Sequence, residues 1–338
     1  MNFRRLGRSG LKVSNLCLGT MTFGSTTDEE EAGRILERAR DAKVNFLDTA
    51  DVYNGGESER MLGRLIADDR EDWVLASKLG NRMAEGPNHA GLSPKHMRAA
   101  LGDSLDRLQT DYLDLLYLHI YDGSPLEAVV ETLGRFLADG RILSWGLSNF
   151  RAWQVAEVVN LSRRLGIAPP SVSQPYYNAL NRMPEVEHLP ACAFYDLAVV
   201  PYSPLARGVL TGKYPPGVPA AADSRVGRKD KRMMQTEFRE ESLAIAQSVK
   251  THAEARGMTA GQFALLWVLN NRLVTSVLAG PRTLAQWEGY LTALDKPFGA
   301  EDEALIDGLV ASGHPSTPGY SDPAYPNTGR QPRNGAED

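Results

Sequence analysis

The stretch Asn45-Phe46-Leu47-Asp48-Thr49-Ala50-Asp51-Val52-Tyr53 changes character midway, from a short apolar run to a cluster of polar, titratable groups. If Val44–Leu47 is a buried strand, Asp48 sits at its C-terminal tip and Tyr53 lies just beyond it. Asn54-Gly55-Gly56 supplies the turn, and Glu57 onward has the character of a helix. A carboxylate and a phenol where a strand empties into a loop occupy the place where barrels and open sheets keep their chemistry. Alone, the stretch is equally an N-cap aspartate and a surface tyrosine, so its neighbours have to decide.

Outward from it the same rhythm repeats. Strand-like runs at Asn15–Gly19, Val44–Leu47, Trp73–Ser77, Leu113–Leu118, Ile142–Leu147, Val172–Gln174, Leu197–Pro201 and Val274–Leu278 are mostly separated by amphipathic helical segments. Ala32, Ile35, Leu36 and Ala39 mark one helix by their spacing; Ser93-Pro94 caps another. Apolar runs without period-2 alternation imply strands covered on both faces, hence a parallel sheet. Eight βα units suit a closed (β/α)₈ TIM barrel. A doubly wound sheet would carry a glycine-rich fingerprint after the first strand, and Gly19-Thr20-Met21-Thr22-Phe23-Gly24 does not supply one. Leu6-Gly7-Arg8-Ser9-Gly10-Leu11 predicts a β-hairpin ahead of the barrel. Residues 1–312 are expected to form one domain. Residues 313–338, rich in Gly, Pro, Ser and Asn, are expected to be a tail, partly disordered or packed near the active-site face. The connection from Ser203 to about Thr236 is long for a structureless loop and is expected to be functional or mobile.

Composition narrows the partners. A chain of 338 residues with 42% apolar content can bury a substantial core, and a net charge of −5 with interspersed signs argues against a nucleic-acid or anionic-membrane partner. Two cysteines, Cys17 and Cys192, exclude a disulfide framework and a thiolate zinc site. The N-terminus leads into no apolar signal core, and the apolar run Phe263–Leu269 is too short to span a bilayer. A cytoplasmic location is expected.

The strand ends carry the chemistry. Asp48 and Tyr53 follow the second strand, Lys78 ends the third, and His119 ends the fourth. Singly, Lys78 is a surface lysine and His119 a core histidine, but in a barrel these tips converge on one cavity. There Asp48 can neutralise Lys78, the ammonium is expected to lower the Tyr53 pKa, and His119 can hold a substrate oxygen. The set points to a general acid, its tuning pair and an orienting group aimed at a developing alkoxide. No nucleophile–base pair or metal-spaced His/Glu motif accompanies it, and no metal is expected.

These residues, with Asp48-Thr49-Ala50-Asp51-Val52-Tyr53, Ser77-Lys78-Leu79-Gly80, Asp111–His119, Gly146–Phe150, Gln174-Pro175 and Tyr202–Gly208 running to Gly212-Lys213-Tyr214, resemble the aldo-keto reductases over roughly residues 1–312. The chain is most similar to the branch of bacterial reductases and potassium-channel β subunits. The resemblance implies NADP(H) bound to a barrel, with Tyr53 as general acid, Asp48 and Lys78 tuning it, and His119 orienting the carbonyl. It also implies that Ser148, Asn149 and Gln174 meet the carboxamide and that Tyr202 stacks on the nicotinamide. Gly19, Thr20 and Met21 would line the cofactor; Ser203, Pro204, Leu205, Arg207 and Lys213 would embrace the pyrophosphate; Arg225 would reach the adenosine side. Gly280, Arg282 and Gln286 would hold the 2′-phosphate, for which a guanidinium fork is suited. The family's usual Glu-Asn is replaced by Gly289-Tyr290, and Tyr290 is expected to flank the adenine.

The expected activity is reversible NADPH-dependent reduction of aldehydes or ketones. A regulatory subunit that binds the cofactor is the alternative from another class, and a lyase with Lys78 as Schiff-base nucleophile is a third. Substrate choice is expected to come from Phe23, Asn81–Gly91, Tyr121-Asp122, the long loop and the tail.

Overall fold

The computed structural model describes residues 1–222 and 224–326. An antiparallel hairpin, β1 (Phe3–Arg5) and β2 (Lys12–Ser14), precedes eight parallel strands. These are β3 (Leu16–Gly19), β4 (Phe46–Asp48), β5 (Val74–Leu79), β6 (Leu115–Leu118), β7 (Trp145–Ser148), β8 (Val172–Gln174), β9 (Ala198–Val199) and β10 (Val277–Ala279). They pair in the order β10-β3-β4-β5-β6-β7-β8-β9. The two ends of this sheet meet: Thr275 N–H donates to Val199 O (2.8 Å) and Leu278 N–H to Pro201 O (3.0 Å), which closes the (β/α)₈ barrel.

Helices α1 (Glu29–Asp41), α2 (Glu57–Leu65), α3 (Pro94–Leu108), α4 (Leu126–Ala138), α5 (Ala152–Arg164) and α6 (His188–Tyr195) clothe the first six crossovers. The seventh holds α7 (Lys231–Thr236), α8 (Glu240–Ala255) and α9 (Ala260–Asn270); α10 (Leu284–Ala293) and α11 (Ala300–Leu309) follow β10. Their starts obey local chemistry. Asp28 accepts from Glu31 N–H at the head of α1, and Ser93 does the same for His96 N–H at α3, with Pro94 in the first turn. Ala32, Ile35, Leu36 and Ala39 form the buried stripe of α1, as their spacing requires. α9 is apolar almost all round and is buried from Phe263 to Leu269.

The long connection after β9 carries structure of its own: a 3₁₀ segment over Ala206–Thr211 and α7, which Asp230 caps by accepting from Met233 N–H. A turn at Met183–Glu185 precedes α6. One local expectation is corrected. Phe23, expected to shape substrate choice, is fully buried in the core between sheet and helices.

The hairpin seals the end of the barrel opposite the strand tips. Leu6 and Val13 are fully buried and join Cys17, Phe46, Ala76, Leu115, Tyr117, Val172, Ala198 and Val200 in the barrel interior. Gly7 makes the turn possible, with φ +53° and a position where a Cβ would lie 2.1 Å from Ser171 O. Arg4 ties the hairpin down by donating to Val274 O (2.7 Å).

Beyond β4, a polar cluster is walled in. Glu59, fully buried, accepts from Arg107 Nε (2.7 Å) and from Ser77 Oγ (2.5 Å). Asp51 is also fully buried, and among the described residues neither carboxylate oxygen has a side-chain hydrogen-bond partner. Burial, and then the neighbouring Glu59 carboxylate, push the Asp51 pKa up to about 7 from the ordinary 3.8.

Two predictions follow from this packing. Leu6→Ala should cost about 2–5 kcal/mol in urea unfolding, because it opens a cavity at the sealed end; a loss below 1 kcal/mol would mean the plug does not matter. For Asp51 the folded carboxyl keeps its proton up to about 7 whereas the unfolded one releases it near 3.8. The native state therefore binds more protons within that window, and folding weakens as pH rises through it. Asp51→Asn should gain stability relative to wild type as pH rises from 3.8 to about 7, by on the order of 1–4 kcal/mol in all, with no further gain above that. Parallel pH curves for the two proteins would contradict the burial argument.

Candidate active site

Register brings the sequence-predicted groups together. Asp48 is the last residue of β4 and pairs with Ala76 of β5, two residues before Lys78. Both side chains are buried and point to the same end of the barrel interior. Lys78 Nζ donates to the Asp48 carboxylate, to Thr49 O (2.8 Å) and to Tyr53 Oη (3.1 Å), so all three ammonium protons are used. Gln174 Nε2, at the tip of β8, donates to the second Asp48 oxygen (2.9 Å). Because Tyr53 Oη accepts from the ammonium, its own O–H is left to point elsewhere.

Tyr53 opens a 3₁₀ turn that Asn54 anchors across to the β3 loop, donating to Met21 O (2.9 Å) and Phe23 O (2.7 Å). Asn54 itself takes the left-handed conformation, with φ +52°. His119 follows β6, its N–H bound to Leu79 O (2.9 Å), and its ring meets that of Tyr53 edge-on at 6.1 Å.

Electrostatics correct one expectation. Burial works against the Lys78 ammonium, but the Asp48 and Tyr53 charges outweigh it and hold its pKa above the ordinary value. For Tyr53 burial is the largest influence and raises the pKa; Lys78 pulls it down without cancelling that rise. The phenol is thus held more firmly protonated than in water, not less. Burial, with a smaller push from Lys78, lowers His119 to about 3, so its imidazole is neutral at physiological pH. Its Nδ1 is buried and has no hydrogen-bond partner among the described residues.

A cavity of about 510 Å³ opens above this group. Asp48, Tyr53, His119, Ser148, Asn149 and Gln174 line one end, with Gly19 and Met21 beside them. Thr20 and Lys78 stand behind the wall: Thr20 Oγ1 is bound to Asp48 O (3.1 Å) and to Ser58 (2.9 Å). Ser148 Oγ donates to Gln174 O (3.1 Å). Asn149 spends both ends of its amide on the protein, donating to His119 O (2.9 Å) and accepting from Tyr202 Oη (2.8 Å).

The Tyr202–Arg207 segment forms the next wall. Ser203, Ala206 and Arg207 all take positive φ, at +57°, +46° and +52°. Pro204 and Leu205 face the same cavity. Behind it Glu237, nearly fully buried, pairs with Arg207 (3.4 Å) and accepts from Tyr176 Oη, whose ring leans on Tyr202 at 5.6 Å. Further along lie Lys213, Arg225, Gly280, Arg282, Gln286, Gly289 and Tyr290. Gln286 Oε1 accepts from Arg282 N–H (2.8 Å), which fixes the turn that presents the guanidinium. A Cβ at Gly289 would meet nothing within 4 Å, so the wall is recessed there beside Tyr290.

Among the lining residues that the sequence reading of the site did not name are Arg232, on α7, and Tyr325, in the tail. Arg151 holds the tail in place, donating to Tyr325 O (3.1 Å) and Pro326 O (2.6 Å). Residues 327–338, the remainder of the expected tail, lie outside the described residues. The partners of Arg232 and Tyr325, Asp322 and Arg151, are remote in sequence, so no local pattern could have announced these contacts.

The charges of the cavity wall suit an anionic dinucleotide. Among the described residues, no carboxylate lies within ion-pair distance of Lys213 or Arg282. Lone cations in a cavity wall are suited to phosphate.

Comparison with known proteins agrees with this geometry. The aldo/keto reductase family profile matches residues 15–311. The chain is 38% identical over 305 residues to a probable voltage-gated potassium channel subunit beta of Oryza sativa subsp. japonica, covering 87% of this chain and 92% of that protein. It is 33% identical over 329 residues to the L-glyceraldehyde 3-phosphate reductase of Escherichia coli (strain K12), covering 93% of each. It is 32% identical over 330 residues to the uncharacterized oxidoreductase YrpG of Bacillus subtilis (strain 168), covering 94% of this chain and 98% of that one. With eight parallel strands, a barrel closed on itself and a family match over most of its length, the chain belongs to the aldo/keto reductase family.

Proposed function

We propose that the protein is an NADPH-dependent reductase of aldehydes and ketones, with residues 1–312 as one catalytic domain and residues 313–338 as a tail over its site. The observation that carries this reading is the Lys78 ammonium bound at once to Asp48, Thr49 O and Tyr53 Oη at the cavity floor. The phenol accepts from an obligatory donor, so its proton is directed to the cavity. Tyr53 then protonates the oxygen of a reduced carbonyl, and the charge left on Tyr53 is stabilised by Lys78 at once. Asp48 keeps that ammonium from being an unpaired buried charge. Neutral His119 offers a hydrogen bond to the carbonyl oxygen and so sets its distance from Tyr53. When bound, NADPH supplies the hydride. Ser148, Asn149 and Gln174 would hold the carboxamide, Tyr202 would face the ring, and Ser203–Leu205, Arg207 and Lys213 would surround the pyrophosphate. Asn149 would have to release one of its present partners to do so. Arg282 and Gln286 would take the 2′-phosphate, with Arg225 and Tyr290 near the adenosine. A cytoplasmic enzyme acting on small carbonyl compounds is the setting we favour; among the described residues no helix is long and apolar enough to cross a membrane.

A second reading has one specific support. Relatives at 37–38% identity carry the name of potassium channel β subunits, so a regulatory protein that binds the cofactor remains in view. Turnover separates the two.

Tyr53→Phe should lower kcat for a reactive aldehyde by roughly 100- to 10,000-fold while NADPH still binds, as judged by cofactor fluorescence. Undiminished turnover in that variant would remove Tyr53 from the acid's role. Arg282→Ala should weaken NADPH by about tenfold or more and leave NADH unchanged, as expected for loss of charge-assisted bonds to one phosphate. Equal weakening of both cofactors would assign Arg282 elsewhere.

A further inference from the structure

The cations at or beneath the cavity wall differ in whether a carboxylate compensates them. Lys213 and Arg282 have no carboxylate within ion-pair distance among the described residues. The others are already paired: Arg225 with Asp230, Lys78, beneath the floor, with Asp48, Arg207 with Glu237, and Arg232 with Asp322. The last pair is unlike the others because its carboxylate comes from the tail, 90 residues away. It is a two-bonded fork, with Arg232 Nη1 and Nη2 donating to Asp322 Oδ1 (2.9 Å) and Oδ2 (2.7 Å). Asp322 Oδ1 also accepts from Ala324 N–H (2.9 Å), which shapes the turn leading to Tyr325 at the cavity wall. Both Asp322 and Tyr325 lie within electrostatic reach of Tyr202, whose hydroxyl is bound to Asn149 beside His119. Arg239 holds the same tail segment from below, its guanidinium stacked on Tyr320 at 3.8 Å and hydrogen-bonded to Thr317 (2.7 Å).

We infer that Asp322 is a specificity-determining residue, which cancels the Arg232 guanidinium at the cavity wall and thereby restricts the substrate end to uncharged carbonyl compounds. This inference rests on the reductase reading. A carboxylated or phosphorylated aldehyde entering that end finds no uncompensated cation and must approach the Asp322 carboxylate at the rim. It would have to take Arg232 from Asp322, which leaves a half-buried carboxylate without its partner. An uncharged aldehyde disturbs neither group. The tail therefore acts by charge as well as by shape.

The test compares 4-nitrobenzaldehyde with 4-carboxybenzaldehyde, which share a ring and differ in charge, at saturating NADPH. Wild type should show kcat/KM for the neutral aldehyde at least about tenfold above the anionic one, and Asp322→Asn should raise the anionic-to-neutral ratio by about tenfold. Adding Arg232→Gln to that variant should cancel the gain, and high salt should shrink it. Tyr325→Ala, which opens the same rim without changing charge, should leave the ratio near the wild-type value. A ratio unmoved in Asp322→Asn, moved equally by Tyr325→Ala, or already near one in wild type would overturn the inference. So would a gain in NADPH affinity with no change in ratio, which would give Arg232 to the cofactor. Failure of wild type to reduce either aldehyde would instead overturn the reductase reading beneath it.

Discussion

A lysine ammonium buried at the tips of parallel strands is tolerable only if every proton finds an acceptor and its charge finds a counter-charge. Lys78 meets both conditions through Asp48, Thr49 O and Tyr53, and most of the site can be traced to that requirement. The pair fixes Asp48, which in turn orients Gln174; it fixes the Tyr53 hydroxyl; and its positive charge, added to burial, keeps His119 neutral. Removing either partner would strand a charge in the barrel interior, so the site and the upper part of the core share one dependency.

Burial sets the balance at Tyr53. The sequence places a lysine near a tyrosine and suggests a depressed phenol pKa, yet desolvation of the phenolate outweighs the ammonium and the shift is upward. For an acid that must hold a proton until the carbonyl oxygen becomes basic, that direction serves reduction. The proximity was legible in Asp48, Tyr53 and Lys78 because strand tips in a barrel must converge. The sign was not, because it depends on how much water is excluded, which no spacing encodes.

The same division runs through the fold. Alternation of apolar runs with amphipathic helices made the barrel readable, and Ser93-Pro94 and the Ala32–Ala39 stripe placed α3 and α1 closely. Leu113 and Ile142 looked like strand residues but form only an isolated bridge, since the strands proper begin at Leu115 and Trp145. Closure through Val199 and Pro201, the Glu237–Arg207 pair behind Tyr202, and the Asp322–Arg232 fork all join distant segments, and such contacts leave no local signature. The charge of the cavity is uneven: Arg207, Arg225 and Arg232 are each paired with a carboxylate, whereas among the described residues Lys213 and Arg282 are not.

The pH dependence of kcat/KM for carbonyl reduction, with NADPH saturating, probes the central ion pair most directly. If Lys78 is held charged by Asp48 and burial keeps Tyr53 protonated, activity should stay level through neutral pH and fall only on the alkaline side of ordinary phenol ionisation. A decline centred near neutrality that tracks Tyr53 would mean the ammonium wins over burial, and the account of how this site holds its proton would be wrong.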